Sequence, residues 1–132
     1  MSILERKEED DIIDTDGNEC EIAKLLFVIF KDKYKFNNDI KKWYSLSLNE
    51  NKIKNEMDIE IDIRSYLSDD LCRRFMMRSI YYYNMMLGSS NNNQRDIYNK
   101  KGLISSNISK KLKRNGNGYK SRILKELSYI LI

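Results

Sequence analysis

Histidine and proline are both absent from the 132 residues; glycine occurs five times, cysteine twice and tryptophan once. Without histidine the chain lacks the side chain that most often serves as general base or metal ligand near neutral pH. Cys20 and Cys72 alone do not make a structural zinc site. Neither lies in a nucleophile motif, so both read as free thiols of a reducing compartment. No stretch approaches the roughly 18 consecutive apolar residues of a membrane span, and the polar amino terminus has no signal-peptide apolar region. No glycine leads into Gly-Lys-Ser/Thr, which removes the phosphate-cradling loop of nucleotide hydrolases. The expectation is a soluble intracellular protein that is not an enzyme by itself, needs no cofactor or metal, and does not enter a membrane.

What the chain does have is charge, unevenly placed. Isoleucine (17), lysine (16) and asparagine (14) dominate, the bias of an AT-rich coding sequence, which bears on source and not on mechanism. The net charge is +4, yet residues 1–21 hold nine acids against Arg6 and Lys7, a net −7, which leaves +11 on the rest. Residues 95–126 alone hold ten Lys or Arg against Asp96 and Glu126, a net +8. A short acidic arm over residues 1–17, expected to be disordered, therefore precedes a basic body. Asp14-Thr15-Asp16-Gly17 invites comparison with a calcium loop and fails it. Ile12 and Ala23 would occupy its first and twelfth ligand positions, so the segment reads as a turn before a helix.

The most apolar part is Glu21 to Leu48. Ile22, Leu25, Leu26 and Ile29 recur at i, i+3, i+4 and i+7, while Ala23, Phe27, Val28 and Phe30 fill most of the remaining surface, as in a buried helix over about residues 19–32. Asn18 with Glu21 three residues on is a capping box. The period then drops to two. Tyr34 and Phe36 alternate with lysines, and Tyr44, Leu46 and Leu48 with Ser45 and Ser47, which predicts a hairpin over 33–48 carrying Trp43 and packed on that helix. Met57, Ile59, Ile61 and Ile63 alternate with Asp58, Glu60 and Asp62, which predicts a strand over 58–63. Three carboxylates on its outer face are either a solvated surface or part of a divalent-cation site, for which no partner motif is visible.

A helix over 66–87 follows, with Leu67, Leu71, Phe75, Tyr82 and Met86 as its stripe, widened by Cys72, Met76 and Tyr83 and ended by a left-handed Gly88. The stripe reads as core, or else its Met and Tyr runs are an adaptable binding surface or base-stacking platform. Ser89 to Asn93 is a polar linker, with a candidate subdomain boundary at 88–93. Helices over 93–101, 103–114 and 119–131 complete the chain. The last two are joined by Asn115-Gly116-Asn117-Gly118, the outline of a helix-turn-helix. The fold class expected is α+β and mostly α-helical: one small domain over 18–132 with a short hairpin and a helix-turn-helix-like end.

Ile22-Ala23-Lys24-Leu25-Leu26, Tyr34 and Lys41-Lys42-Trp43-Tyr44, with the closing runs Ile108-Ser109-Lys110-Lys111-Leu112-Lys113 and Tyr119-Lys120-Ser121-Arg122-Ile123-Leu124-Lys125-Glu126, resemble the helical linker domain between primase and superfamily 3 helicase in poxvirus-type primase-helicases of large DNA viruses. The resemblance covers about residues 20–131. It departs at Asn49 to Met57, where the family usually carries a second tryptophan. It implies a stand-alone or truncated module of viral DNA replication in the host cytoplasm, without the family's catalytic motifs, which lie in the flanking domains.

Two readings of different class remain. In one, Lys110, Lys111, Lys113, Arg114, Lys120 and Arg122, around the glycine turn, neutralise phosphates of DNA while backbone N–H groups at the helix start approach them, giving weak, sequence-independent binding. In the other, the helices are an interaction module that docks on a replicative primase or helicase or self-associates, and the lysines are a solvated surface. A remnant without activity is the third alternative.

Overall fold

The computed structural model describes residues 16–46, 56–114, 116 and 118–132; residues 1–15 of the acidic arm, and the connection at 47–55 with Leu48, lie outside them. The first helix, α1 (Glu19–Phe30), starts where the capping pattern places it. Asn18 is extended, and its Oδ1 accepts from the Glu21 N–H at 2.9 Å. The reciprocal half of the box is supplied differently, because the Asn18 N–H donates to Oδ1 of Asp16 at 3.0 Å. Ile22, Ala23, Leu25, Leu26 and Phe30 are buried, and α1 lies mainly against the last helix, α5 (Tyr119–Ile130).

The hairpin pairs β1 (Tyr34–Asn37) with β2 (Lys42–Ser45), antiparallel, in the register Phe36 opposite Trp43. The turn is closed by Lys41 at φ 56°. Opposed residues share a sheet face, so Tyr34, Phe36 and Trp43 point inward, the last two rings 5.1 Å apart edge to face. That register corrects the expected pattern of the second strand: Trp43 is buried while Tyr44 and Leu46 face outward. The hairpin touches α1 through the stacked rings of Phe30 and Tyr34. Its broader contacts are with α2 (Glu56–Ser65) and the end of α5, where the Phe36 N–H donates to the Leu131 carbonyl at 2.9 Å.

The strand expected over 58–63 is helix α2. Alternation put four apolar residues on one strand face, but the structure buries only Ile59 and Ile63 of them, four apart on one helix face, and leaves Met57 and Ile61 exposed. Glu56 and Asp58 in its first turn and Arg64 in its last suit the helix dipole. Asp58 and Asp62 fall one turn apart while Glu60 lies on the opposite side, so the three-carboxylate face does not form. The hydroxyl of Tyr34 donates to Oδ2 of Asp62 and ties the hairpin to α2.

From α2 the chain runs without a break through a π-helical turn (Tyr66–Leu71) into α3 (Cys72–Leu87). Ile59, Ile63, Leu67, Leu71 and Phe75 are all buried at a strict spacing of four. In an α-helix that spacing drifts about 40° per step, because four residues exceed one turn of 3.6. The wider i→i+5 winding of the π turn drifts the other way and keeps the five on the core side. Beyond Phe75 the stripe narrows. Tyr82 is buried, but Met76 and Tyr83, expected to widen it, are exposed. Gly88 is right-handed (φ −83°) rather than left-handed, its N–H bonding to the Asn84 carbonyl at 3.1 Å.

The two short helices expected at 93–101 and 103–114 are one, α4 (Asn92–Lys113), capped by Asn91, whose Oδ1 accepts from the N–H groups of Asn93 and Gln94. Gly102 interrupts nothing. It lies where α4 crosses α3, its Cβ position 3.5 Å from Cβ of Tyr82, and its carbonyl accepts from the Ser79 hydroxyl at 2.9 Å. The chain is thus a small α+β domain, mostly helical, with one hairpin and a helix-turn-helix-like end formed by α4, the glycine turn and α5. Ile22, Leu26, Ile63, Leu112, Ile123 and Leu127 are among its fully buried residues.

Candidate nucleic-acid interface

Ile108, Ser109 and Leu112 anchor the end of α4 inward, which leaves Lys110, Lys111, Lys113 and Arg114 exposed around its last turn. Cations there also complement the helix dipole, so the sequence pattern serves stability whatever else it does. Gly116 (φ 89°) and Gly118 (φ 74°) reverse the chain, and Gly118 is the N-cap of α5.

Lys110, Lys111 and Arg114 line one open groove of about 360 Å³, walled by Ile104 and Ile108 and shared with Asn107 and Asp16. Lys111 Nζ stands 5.1 Å from the centre of the Tyr119 ring. Tyr119 is buried, and its hydroxyl donates to the carbonyl of Gly17. Burial, followed by the Glu19 and Asp16 carboxylates, pushes the phenol well above its usual range. Arg122 Nε pairs with Oε1 of Glu19 at 2.9 Å, and that hydrogen bond is the main cause of the lowered Glu19 pKa. Two acids at the entry to α1 therefore stand among the cations of α4 and α5.

The six basic residues singled out in the sequence do not share one surface. Lys110, Lys111 and Arg114 converge on the groove; Lys113 is exposed on the same last turn; Arg122 is held by Glu19. Lys120 turns inward: it is buried, with Nζ 2.8 Å from the Ser68 hydroxyl. Asp16, Asn107 and Tyr119 carry no sequence signal of a site. Asp16-Gly17-Asn18 reads locally as a turn, and nothing in the pattern says that it lies against α4, about ninety positions later.

Chemically the arrangement is an electropositive groove beside a glycine turn, tempered by two carboxylates, and suits a polyanion held by charge. Among the described residues no helix is long and apolar enough to cross a membrane. Compared with known proteins, the chain matches no family model, no curated protein and no solved structure.

Proposed function

We propose that the protein is a non-catalytic accessory module of viral DNA replication that binds nucleic acid weakly and without sequence preference through the end of α4 and the start of α5. The replication context rests on the resemblance to primase-helicase linker domains. The observation that carries the binding is the convergence of Lys110, Lys111 and Arg114 on one open groove. Lysine and arginine that neutralise phosphates release condensed counterions, so affinity comes without base contacts and falls steeply with salt. Asp16 and Glu19 lower the local charge, in keeping with weak binding.

Fluorescence anisotropy with single-stranded and duplex DNA across a salt series tests it. Changing Lys110, Lys111, Lys113 and Arg114 together to Gln should lower the salt slope by about 0.7 to 0.9 for each phosphate that is no longer neutralised. Lys120→Gln should leave the slope unchanged, since that ammonium is turned toward Ser68. Absence of wild-type binding at roughly 50 mM salt would overturn the proposal.

A further inference from the structure

Past Phe75, α3 is covered on one side by α4 and carries large apolar side chains on the other. Met76, Ile80, Tyr83 and Leu87 are between 42% and 58% exposed. Their 4-3-4 spacing is that of a coiled-coil seam, which places all four on one stripe of the helix. Leu103 of α4 is exposed too, and a shallow groove lined by Ser79, Tyr83, Met86 and Leu103 runs between the two helices. A contiguous apolar stripe of this kind marks an interaction surface more often than a solvated one.

The charges around it indicate what covers it. The helix positions flanking the stripe are Met77, Ser79, Asn84 and Met86, none charged. Of the three arginines of α3, Arg73 stands at the amino-terminal end of the stripe, paired with Asp70 at 3.9 Å, while Arg74, at 5.9 Å from the Tyr66 ring centre, and Arg78, at 5.3 Å from that of Tyr81, are engaged away from it. A basic body repels its own copy at most surfaces, but not at this one. The stripe is also symmetric. An antiparallel two-fold axis between Ile80 and Tyr83 sets Met76 against Leu87 and Ile80 against Tyr83 of the other copy, with Met77 beside Asn84 on one flank and Ser79 beside Met86 on the other. Arg73 then meets Ser90 and not itself, whereas a parallel pair would oppose Arg73 to Arg73. Self-complementarity about a two-fold axis is what a closed dimer needs.

We infer that α3 is the contact of a homodimer, in which two α3–α4 hairpins pack as an antiparallel four-helix bundle about an axis passing between Ile80 and Tyr83. This goes beyond the nucleic-acid reading and does not depend on it.

Sedimentation equilibrium of the full chain without nucleic acid, up to about 100 μM, where weak association is populated, should give twice the 15.8 kDa chain mass. Ile80→Glu and Tyr83→Lys should each weaken dimerisation at least about a hundredfold, because each puts an unpaired charge into the seam, with circular dichroism unchanged. Mixing the two variants should restore a dimer, since Glu at 80 then faces Lys at 83 across the axis. Met76→Lys with Leu87→Glu repeats the test at the ends of the stripe should a central variant unfold. A monomeric wild type, a dimer indifferent to these substitutions, or monomeric variants that fail to pair on mixing would each overturn the inference.

Discussion

At Gly17 the backbone turns through φ +84°, and a Cβ built there would stand 2.5 Å from Cγ1 of Ile108. Gly116, at φ +89°, has nothing within 4 Å of its Cβ position. An added methyl group at either site meets the left-handed backbone cost of about 1–2 kcal/mol, but only at Gly17 must the core also shift. Gly17→Ala should therefore lower the urea midpoint clearly more than Gly116→Ala. Tyr119 is the partner of that buried loop. Tyr119→Phe removes the hydroxyl that donates to the Gly17 carbonyl and should cost about 1 kcal/mol at neutral pH. The phenol's pKa is raised in the folded chain, so its contribution is whole below the ordinary value of 10.0 and lost as pH rises above it. The gap between wild type and variant in chemical unfolding should accordingly narrow above pH 10. A helical cap at Asn18 is legible in the residues themselves; the long-range bond from Tyr119 is not, since a tyrosine at a helix start carries no mark of its partner.

Among the elements, α1, the hairpin and α5 follow from periodicity because apolar residues recur at the spacing of each, although the inward residue of β2 is Trp43 and not Tyr44 or Leu46. The misassigned elements share a different cause. Over residues 57–63 a period of two and a period of four overlap at Ile59 and Ile63, and the following Leu67, Leu71 and Phe75, which extend only the second, decide for helix. Gly102 reads in sequence as a helix end, yet α4 runs through it against α3. Its Cβ position has 3.5 Å to Cβ of Tyr82 and 3.6 Å to the Ser79 carbonyl, both ordinary contacts. Gly102→Ala should fit and raise stability by about 0.5–1 kcal/mol through the lost freedom of the unfolded chain, measured as a higher urea midpoint. Gly102→Leu has no such room and should lower it. Of the candidate interface, the cations of the last turn of α4 are legible as a run. The inward turn of Lys120 is not, because it depends on Ser68 across the core.

For the whole molecule, charge and winding have separate consequences. Residues 1–16 hold seven acids against Arg6 and Lys7, a net −5, so their removal takes the chain from +4 to +9. Acids tethered to the chain that carries the cations compete with a polyanion at high effective concentration, so the expected outcome of their removal is tighter binding to DNA at low salt; unchanged affinity would take the arm out of the mechanism. The winding concerns the π turn. It works as a phase-setting joint between the core, on one side, and the α3–α4 hairpin on the other. A π turn carries one residue more than the α winding it replaces, so deleting one residue from Ser68 to Asp70 would let ordinary α winding resume with everything distal in nearly the same phase, and deleting two would rotate it by about 100°. Only the double deletion clocks the hairpin out of register with the body that carries it, which loss of protection of the α4 amides from hydrogen exchange would report.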